Sequence, residues 1–170
     1  AVATGTAAQV LTSNGAGVAP TFQAAAGGSD IGCRTRKSAN ESIANATFTY
    51  VSFNQEDYDT DTMHDTVTNN SRVTIKTAGK YLVIATWEWA SNNTGIRLGN
   101  IQLNRLTGVT TSYYTPLNES AQSCSAIYNF AVNDYIEFRV YQSSGGALNL
   151  IIDGGYANTS LQAQKIDAGG

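Results

Sequence analysis

The segment "EDYDTDTMHD" (Glu56–Asp65) is the only acidic cluster in the chain. Asp57, Asp59 and Asp61 stand at alternate positions in it. That is the D-x-D-x-D spacing with which a tight loop turns alternate carboxylates toward one hard cation. The rest of a helix-flanked calcium loop is missing. Thr62 stands where the sharp turn needs Gly, and Thr68 where the bidentate Glu belongs. Two readings remain for Asp57, Asp59 and Asp61: an irregular calcium site, or a solvated loop between strands. No other cofactor is expected.

His64 is the only histidine. No Ser, Cys or paired carboxylate lies at motif spacing from it, so it builds neither a nucleophilic triad nor a metal centre. It reads as a polar loop residue, and no catalytic residue is expected. The two cysteines, Cys33 and Cys124, are far apart and outside any C-x-x-C. They are too few for a disulfide scaffold, and three states stay open: free and buried, paired, or reactive. "SSGGA" (Ser143–Ala147) and "DGG" (Asp153–Gly155) are glycine-rich, but no helical run follows either. They read as hairpin loops, not phosphate cradles. Tyr113 and Tyr114, with Asn92 and Asn93, combine rings that stack with amides that hydrogen-bond. Such a mixture suits contact with a sugar or a protein surface. The alternative is that the tyrosines fill an interface between copies of the chain.

These residues must be carried by strands. The chain has 170 residues, 42% of them hydrophobic, enough for one domain with a proper core. Only 14% are charged and the net charge is -3. Such a neutral polar surface suits an extracellular or virion protein and argues against a nucleic-acid binder, which needs a basic face. No run approaches the ~18 apolar residues of a membrane span, so no membrane insertion is expected. No basic stretch followed by an apolar one marks a signal peptide. Six Asn-x-Ser/Thr sequons occur, at the frequency chance gives in a chain so rich in these residues.

From Ile31 onward, β-branched and aromatic residues recur in short runs between Asn, Gly, Asp and Ser clusters. "TFTYVSF" (residues 47–53) alternates, with Phe48, Tyr50 and Ser52 opposite Val51 and Phe53. "RVTI" (72–75) leads into "KTAGK", where Gly79 is expected in a positive-φ turn or under close packing. "KYLVIATWEW" (80–89) is the strongest strand. Its first half, apolar at every position, predicts burial on both faces; its second half sets Trp87 and Trp89 opposite Glu88. In "IRLGNIQLNR" (96–105), Ile96 and Leu98 run out of phase with Ile101 and Leu103, predicting a break or bulge near Gly99 and Asn100. "VTTSYY" (109–114) is stopped by Pro116. "SCSAIYNFAV" and "DYIEFRVYQ" pair across Asn133 and Asp134, with Ile136, Phe138 and Val140 inward and Glu137 and Arg139 outward. "ALNLII" and "TSLQAQKI" close the chain. No helical stripe appears. The rhythm predicts an all-β jelly-roll sandwich over residues 31–170, preceded by a stem and Gly-rich joint over residues 1–30.

Three stretches resemble the complement component 1q-like domain. "VSFN" followed by the polar "YDTD" loop is similar to that family's Phe-Asn and loop. "TAGKYLV" resembles its glycine-x-tyrosine strand entry, with Gly79 and Tyr81 in the matching places. "FAVNDYIEFRVYQ" resembles its last strand pair, with Asp134 on the family's Asp and Asn133 replacing its Gly. Gln162 and Gln164 depart from the pattern, standing where the family usually carries aromatic or aliphatic residues. The resemblance implies a ten-stranded jelly roll of the tumour necrosis factor type, assembled as a homotrimer.

The opening "GTAAQVLTSNGAGVAPTFQ" (residues 5–23) resembles segments that precede the globular tips of phage tail-fibre and other virion fibre proteins. Its Val10, Leu11, Val18 and Phe22 are too few to fold one copy, but three copies around an axis would cover one another. They are the expected docking residues of an extended stem; the alternative is a disordered linker. These resemblances imply a non-enzymatic, homotrimeric virion protein, a phage fibre or decoration. Its expected partners are itself, other virion proteins through the stem, and a host-surface glycan or protein through Asn92, Asn93, Tyr113 and Tyr114. A bacterial surface or spore-coat protein, or a secreted receptor-clustering ligand of the same fold, are the alternatives, placing it outside or on the surface of a cell.

Overall fold

The run Gly79–Trp89 alternates buried and partly covered along its whole length: Tyr81, Val83, Ala85, Trp87 and Trp89 are buried, while Leu82, Ile84, Thr86 and Glu88 are half-covered. The expectation that its first half is buried on both faces is therefore corrected. Only one face meets the core; the second, with Leu82 and Ile84 between Lys80 and Thr86, is only partly covered by the described residues. The structure is a computed structural model and describes residues 4–7, 9–24, 30–114, 120–152 and 159–167, with the backbone alone at 24, 114 and 120. The expected "DGG" loop, the stop at Pro116 and the sequons at Asn118 and Asn158 lie outside the described residues.

The chain divides into two units, one reaching Ser29 and one spanning Asp30–Asp167. The first is a hairpin of β1 (Gln9–Thr12) and β2 (Thr21–Ala24), with Leu11 opposite Phe22. The segment expected to be an extended stem turns back on itself here as a hairpin. Gly15 and Gly17 take positive φ in the turn, and the Asn14 amide donates to the Ala19 carbonyl at 2.8 Å.

The second unit contains β3 (Gly32–Arg36), β4 (Glu41–Ile43), β5 (Thr49–Tyr50), β6 (Gln55–Asp59), β7 (Arg72–Thr74) and β8 (Gly79–Trp89). It continues with β9 (Arg97–Leu103), β10 (Thr107–Tyr114), β11 (Ser120–Phe130), β12 (Tyr135–Gln142), β13 (Leu148–Leu150) and β14 (Ser160–Lys165). No helix occurs among the described residues. Two sheets face each other. The larger runs β6-β3-β14-β8-β11, and the β4-β13 pair continues it beside the far end of β8. The smaller runs β10-β9-β12, with the short β5 and β7 sharing the other edge of β12. The expected pairing of "SCSAIYNFAV" with "DYIEFRVYQ" is corrected: β11 pairs with β8 in the larger sheet and β12 with β9 in the smaller, so Asn133 and Asp134 carry the chain from one sheet to the other. All pairs are antiparallel, as a jelly roll requires.

The core sits between the sheets. The Trp87 ring from β8 meets Phe138 of β12 with centroids 4.9 Å apart. Gly99 explains the phase change expected in "IRLGNIQLNR". β9 pairs with β12 without interruption from Arg97 to Leu103, and Gly99 takes an inward position. A Cβ there would stand 2.3 Å from the Trp87 ring, so the tryptophan occupies the space a side chain would need. The bulge lies instead on β10, where the register shifts between Gly108 and Thr110. Gly79 opens β8 with φ +150°, and a Cβ on it would meet Lys165 and Asp167 within 2.8 Å.

Candidate functional site

β6 occupies part of the acidic segment expected to be a loop. Its register against β3 skips Asp57, leaving Tyr58 opposite Arg34 and Glu56 opposite Thr35. The bulged Asp57 forms ion pairs with Arg34 at 3.0 Å and Arg36 at 2.7 Å. Asp59 accepts hydrogen bonds from the backbone N–H groups of Asp61, Met63 and His64. It therefore shapes the bend after β6, where Thr62 takes a positive φ. Asp61 has one carboxylate oxygen buried without a hydrogen bond. The structure thus gives Asp57, Asp59 and Asp61 three separate environments. No group of three potential ligands is close enough to hold a metal among the described residues.

His64 lies in the loop between β6 and β7, as expected of a polar loop residue, but it is not solvated. Its ring is buried, with Nδ1 2.8 Å from the Glu56 carboxylate and Nε2 3.1 Å from the Asn70 carbonyl. The ring joins the segment 64–70 to β6, a structural role that the sequence did not signal. A cavity of about 380 Å³ opens beside it, floored by Met63 and His64 and bordered by β7. The thiols of Cys33 and Cys124 are free and buried. They lie on β3 and β11, separated by β14 and β8 in the sheet, beyond disulfide reach. Burial pushes both thiols up, Cys124 to about 12, so neither is a ready nucleophile.

The expected contact residues gather at one end of the smaller sheet by register. Tyr113 and Tyr114 close β10 opposite Leu98 and Arg97, at the start of β9. The loop just before β9 carries Asn92 and Asn93. Buried Arg97 donates to the carbonyls of Asn92, Thr94 and Ile96 and so holds that loop in place. Asn92 is half spent on structure, accepting the Thr94 N–H at 2.8 Å. Asn93 is exposed, and Tyr113 is 60% exposed. The Tyr114 side chain lies outside the described residues. In the stem unit Val10, Leu11 and Val18 are each about half exposed, while Phe22 is partly covered and packs over Gly5.

The two outer faces of the sandwich differ. That of the smaller sheet is partly closed by its own side chains, with Phe48 and Tyr113 left exposed. Glu137 expects solvent from its alternation, yet it is fully buried, gripped by Arg105 Nη2 at 2.8 Å and by the Ser71 hydroxyl at 2.7 Å. Tyr50 donates to Gln102, and Arg139 donates to Asn100 while lying over the Phe48 ring. The outer face of the larger sheet carries Ile127 opposite Leu82, with Ile84 in the next row. Ile127 is 64% exposed, little covered by the described residues. Gln162 and Gln164, the departures noted above, share this face and are bridged by the Tyr58 hydroxyl at 2.9 and 3.1 Å.

No protein-family model and no curated protein sequence matches the chain. Solved structures do. Murine APRIL is similar at 10% identity and TM-score 0.62, covering 81% of this chain and 99% of that one. The Eiger TNF of S. frugiperda gives 11% identity and TM-score 0.59, covering 83% and 95%. The globular domain of zebrafish complement 1qA protein gives 11% identity and TM-score 0.56, covering 82% and 99%. The fold is the tumour necrosis factor and complement component 1q jelly roll. Within this jelly roll, sequence reasoning missed β3, whose inward residues Cys33 and Thr35 are too small and polar to signal a strand. It also missed the uncovered aliphatic face. The signal for that was present: "LVI" in β8 is apolar at both parities.

Proposed function

We propose that the protein is a structural protein of a bacteriophage particle, a homotrimeric fibre or decoration that attaches the particle to a host surface or itself to the capsid. The observation that carries this reading is the contrast between the two outer faces. On the smaller sheet Glu137 and Arg105 are engaged with each other; the larger leaves Ile127 exposed beside the half-covered Leu82 and Ile84. Further copies of the chain, closing around an axis, supply the missing cover. The stem supports the particle context. Its resemblance to phage fibre segments is joined by Val10, Leu11 and Val18 exposed on a two-stranded hairpin, a form that needs a partner to be firm. Other virion proteins are the partners proposed for it. Asn93 and Tyr113, beside Asn92 and Tyr114, form the proposed contact patch for a host glycan or protein, where three-fold repetition would turn weak contacts into avidity.

The role is read as non-enzymatic. Both His64 nitrogens are committed to partners, and the buried thiols are pushed toward their neutral form. Immunogold labelling of intact particles, with light scattering on the purified chain, tests the proposal. A trimer and label on the particle are expected. Label on the bacterial surface or spore coat would favour the first alternative. A trimer found only in the medium would favour the receptor-clustering ligand.

A further inference from the structure

The cavity beside His64 is built by a strand whose two faces do different work. In "RVTIK" (72–76), Val73 and Ile75 are buried in the core. Arg72, Thr74 and Lys76, at the alternate positions, line the cavity. The Arg72 guanidinium lies 3.6 Å from the centroid of the Tyr135 ring. Its Nε is 3.9 Å from Glu137, a carboxylate already taken by Arg105 and Ser71, and it is buried without a hydrogen bond. Lys76 is exposed and has no ion pair among the described residues. Thr62 and Thr68 line the same cavity. Asp65 completes the rim. Hydrogen bonds from the Thr68 and Val67 N–H groups hold its carboxyl below the usual range, so it stays an acceptor.

We propose that this cavity binds an acidic monosaccharide unit, with the sugar carboxylate between Arg72 and Lys76 and the ring hydroxyls on the threonines and Asp65. At about 380 Å³ it lies within the ~300–1,000 Å³ of small-ligand sites. Lys76, with no ion pair among the described residues, and the Arg72 Nε, without a hydrogen bond, favour an anion, and a planar guanidinium suits a carboxylate. Asp65 on the same rim disfavours a polyanion such as a phosphate ester. The hydroxyl-rich wall, with no exposed ring on which a base could stack, favours a sugar over a nucleotide. This site is separate from the Tyr113 patch, and its test does not depend on a particle.

The test is a titration of the full ¹⁵N-labelled chain with glucuronate, followed by amide shifts, with glucose and acetate as matched probes. Saturable shifts confined to residues 62–76 are expected with glucuronate and much smaller ones with glucose or acetate. Lys76→Gln, on an exposed side chain, is expected to weaken binding about tenfold, equivalent to ~1.4 kcal/mol. Thr74→Val is expected to weaken it with the spectrum otherwise unchanged. Absence of shifts in this segment, an equal response to acetate or to glucose, or unchanged binding by both variants would overturn the proposal.

Discussion

Glu137 shows how a single residue can reverse what its position in a strand foretells. Alternation puts it on the outer face, where a carboxylate ordinarily meets water. Burial works against its charge, but hydrogen bonds from Arg105 and Ser71, with the charges of Arg105 and Arg72, prevail and hold the carboxyl below the ordinary glutamate range. A carboxyl depressed on folding contributes stability that is whole above its unfolded-state pKa and is lost as pH falls through the folded-state one. Glu137→Gln is therefore expected to cost about 1.5–3 kcal/mol at neutral pH, the worth of hydrogen bonds to charged groups. It should also flatten the acid limb of the stability curve; urea melts across the acidic range check both. The cysteines give a second expectation at this scale. With Cys124 pushed up to about 12 and Cys33 raised as well, a thiol reagent at neutral pH should find neither in the native chain and both after denaturation.

At the scale of elements, β8 and β9 are fitted to each other through one glycine. Trp87 fills the space over Gly99, so Gly99→Ala drives a methyl into the indole. A loss of about 1–3 kcal/mol is expected from such overpacking, read as a lower melting temperature. The stem is a different kind of element. A two-stranded hairpin is marginal in water, and this one is braced by its four paired positions, the Asn14 bonds and Phe22 packed over Gly5. The jelly roll closes its own core within Asp30–Asp167. Deleting residues 1–28 should leave the melting temperature of that unit within a few degrees of the full chain's. On the proposed function, the same deletion abolishes incorporation into particles, measured by blotting purified virions.

For the whole molecule, the uncovered face of the larger sheet decides the expected assembly. A fully buried Ile or Leu side chain contributes roughly 1.5–3 kcal/mol. Ile127 has most of that still to gain, Leu82 and Ile84 less, and each copy brings the same set. Association costs on the order of 4–15 kcal/mol per partner, so the stripe needs its polar surroundings to match as well. On the proposed function, Ile127→Asp should break the trimer. Light scattering is expected to return a monomer, with circular dichroism still all-β because that side chain lies outside the core. An unaltered trimer would move the interface elsewhere.

The sequence by itself determined the class of fold and much of its core. Period-two runs such as "DYIEFRVYQ" and the paired tryptophans of "KYLVIATWEW" admit only strands with Ile136, Phe138, Val140, Trp87 and Trp89 inward, and these are buried. Gly79 was legible too, because a glycine just before an apolar run has few other reasons to be there. Tertiary structure alone decided what periodicity cannot carry. Whether the second face of Leu82 and Ile84 is covered depends on which strands flank β8, a matter of long-range pairing. Whether Glu137 meets water depends on Arg105 arriving from another loop, 32 residues away in the chain. The place of Asp57 among two arginines follows from a bulge against β3, and His64 is buried because Glu56 and Asn70 converge on its ring. Local sequence fixes the parity of a strand; partners distant in sequence fix what each parity faces.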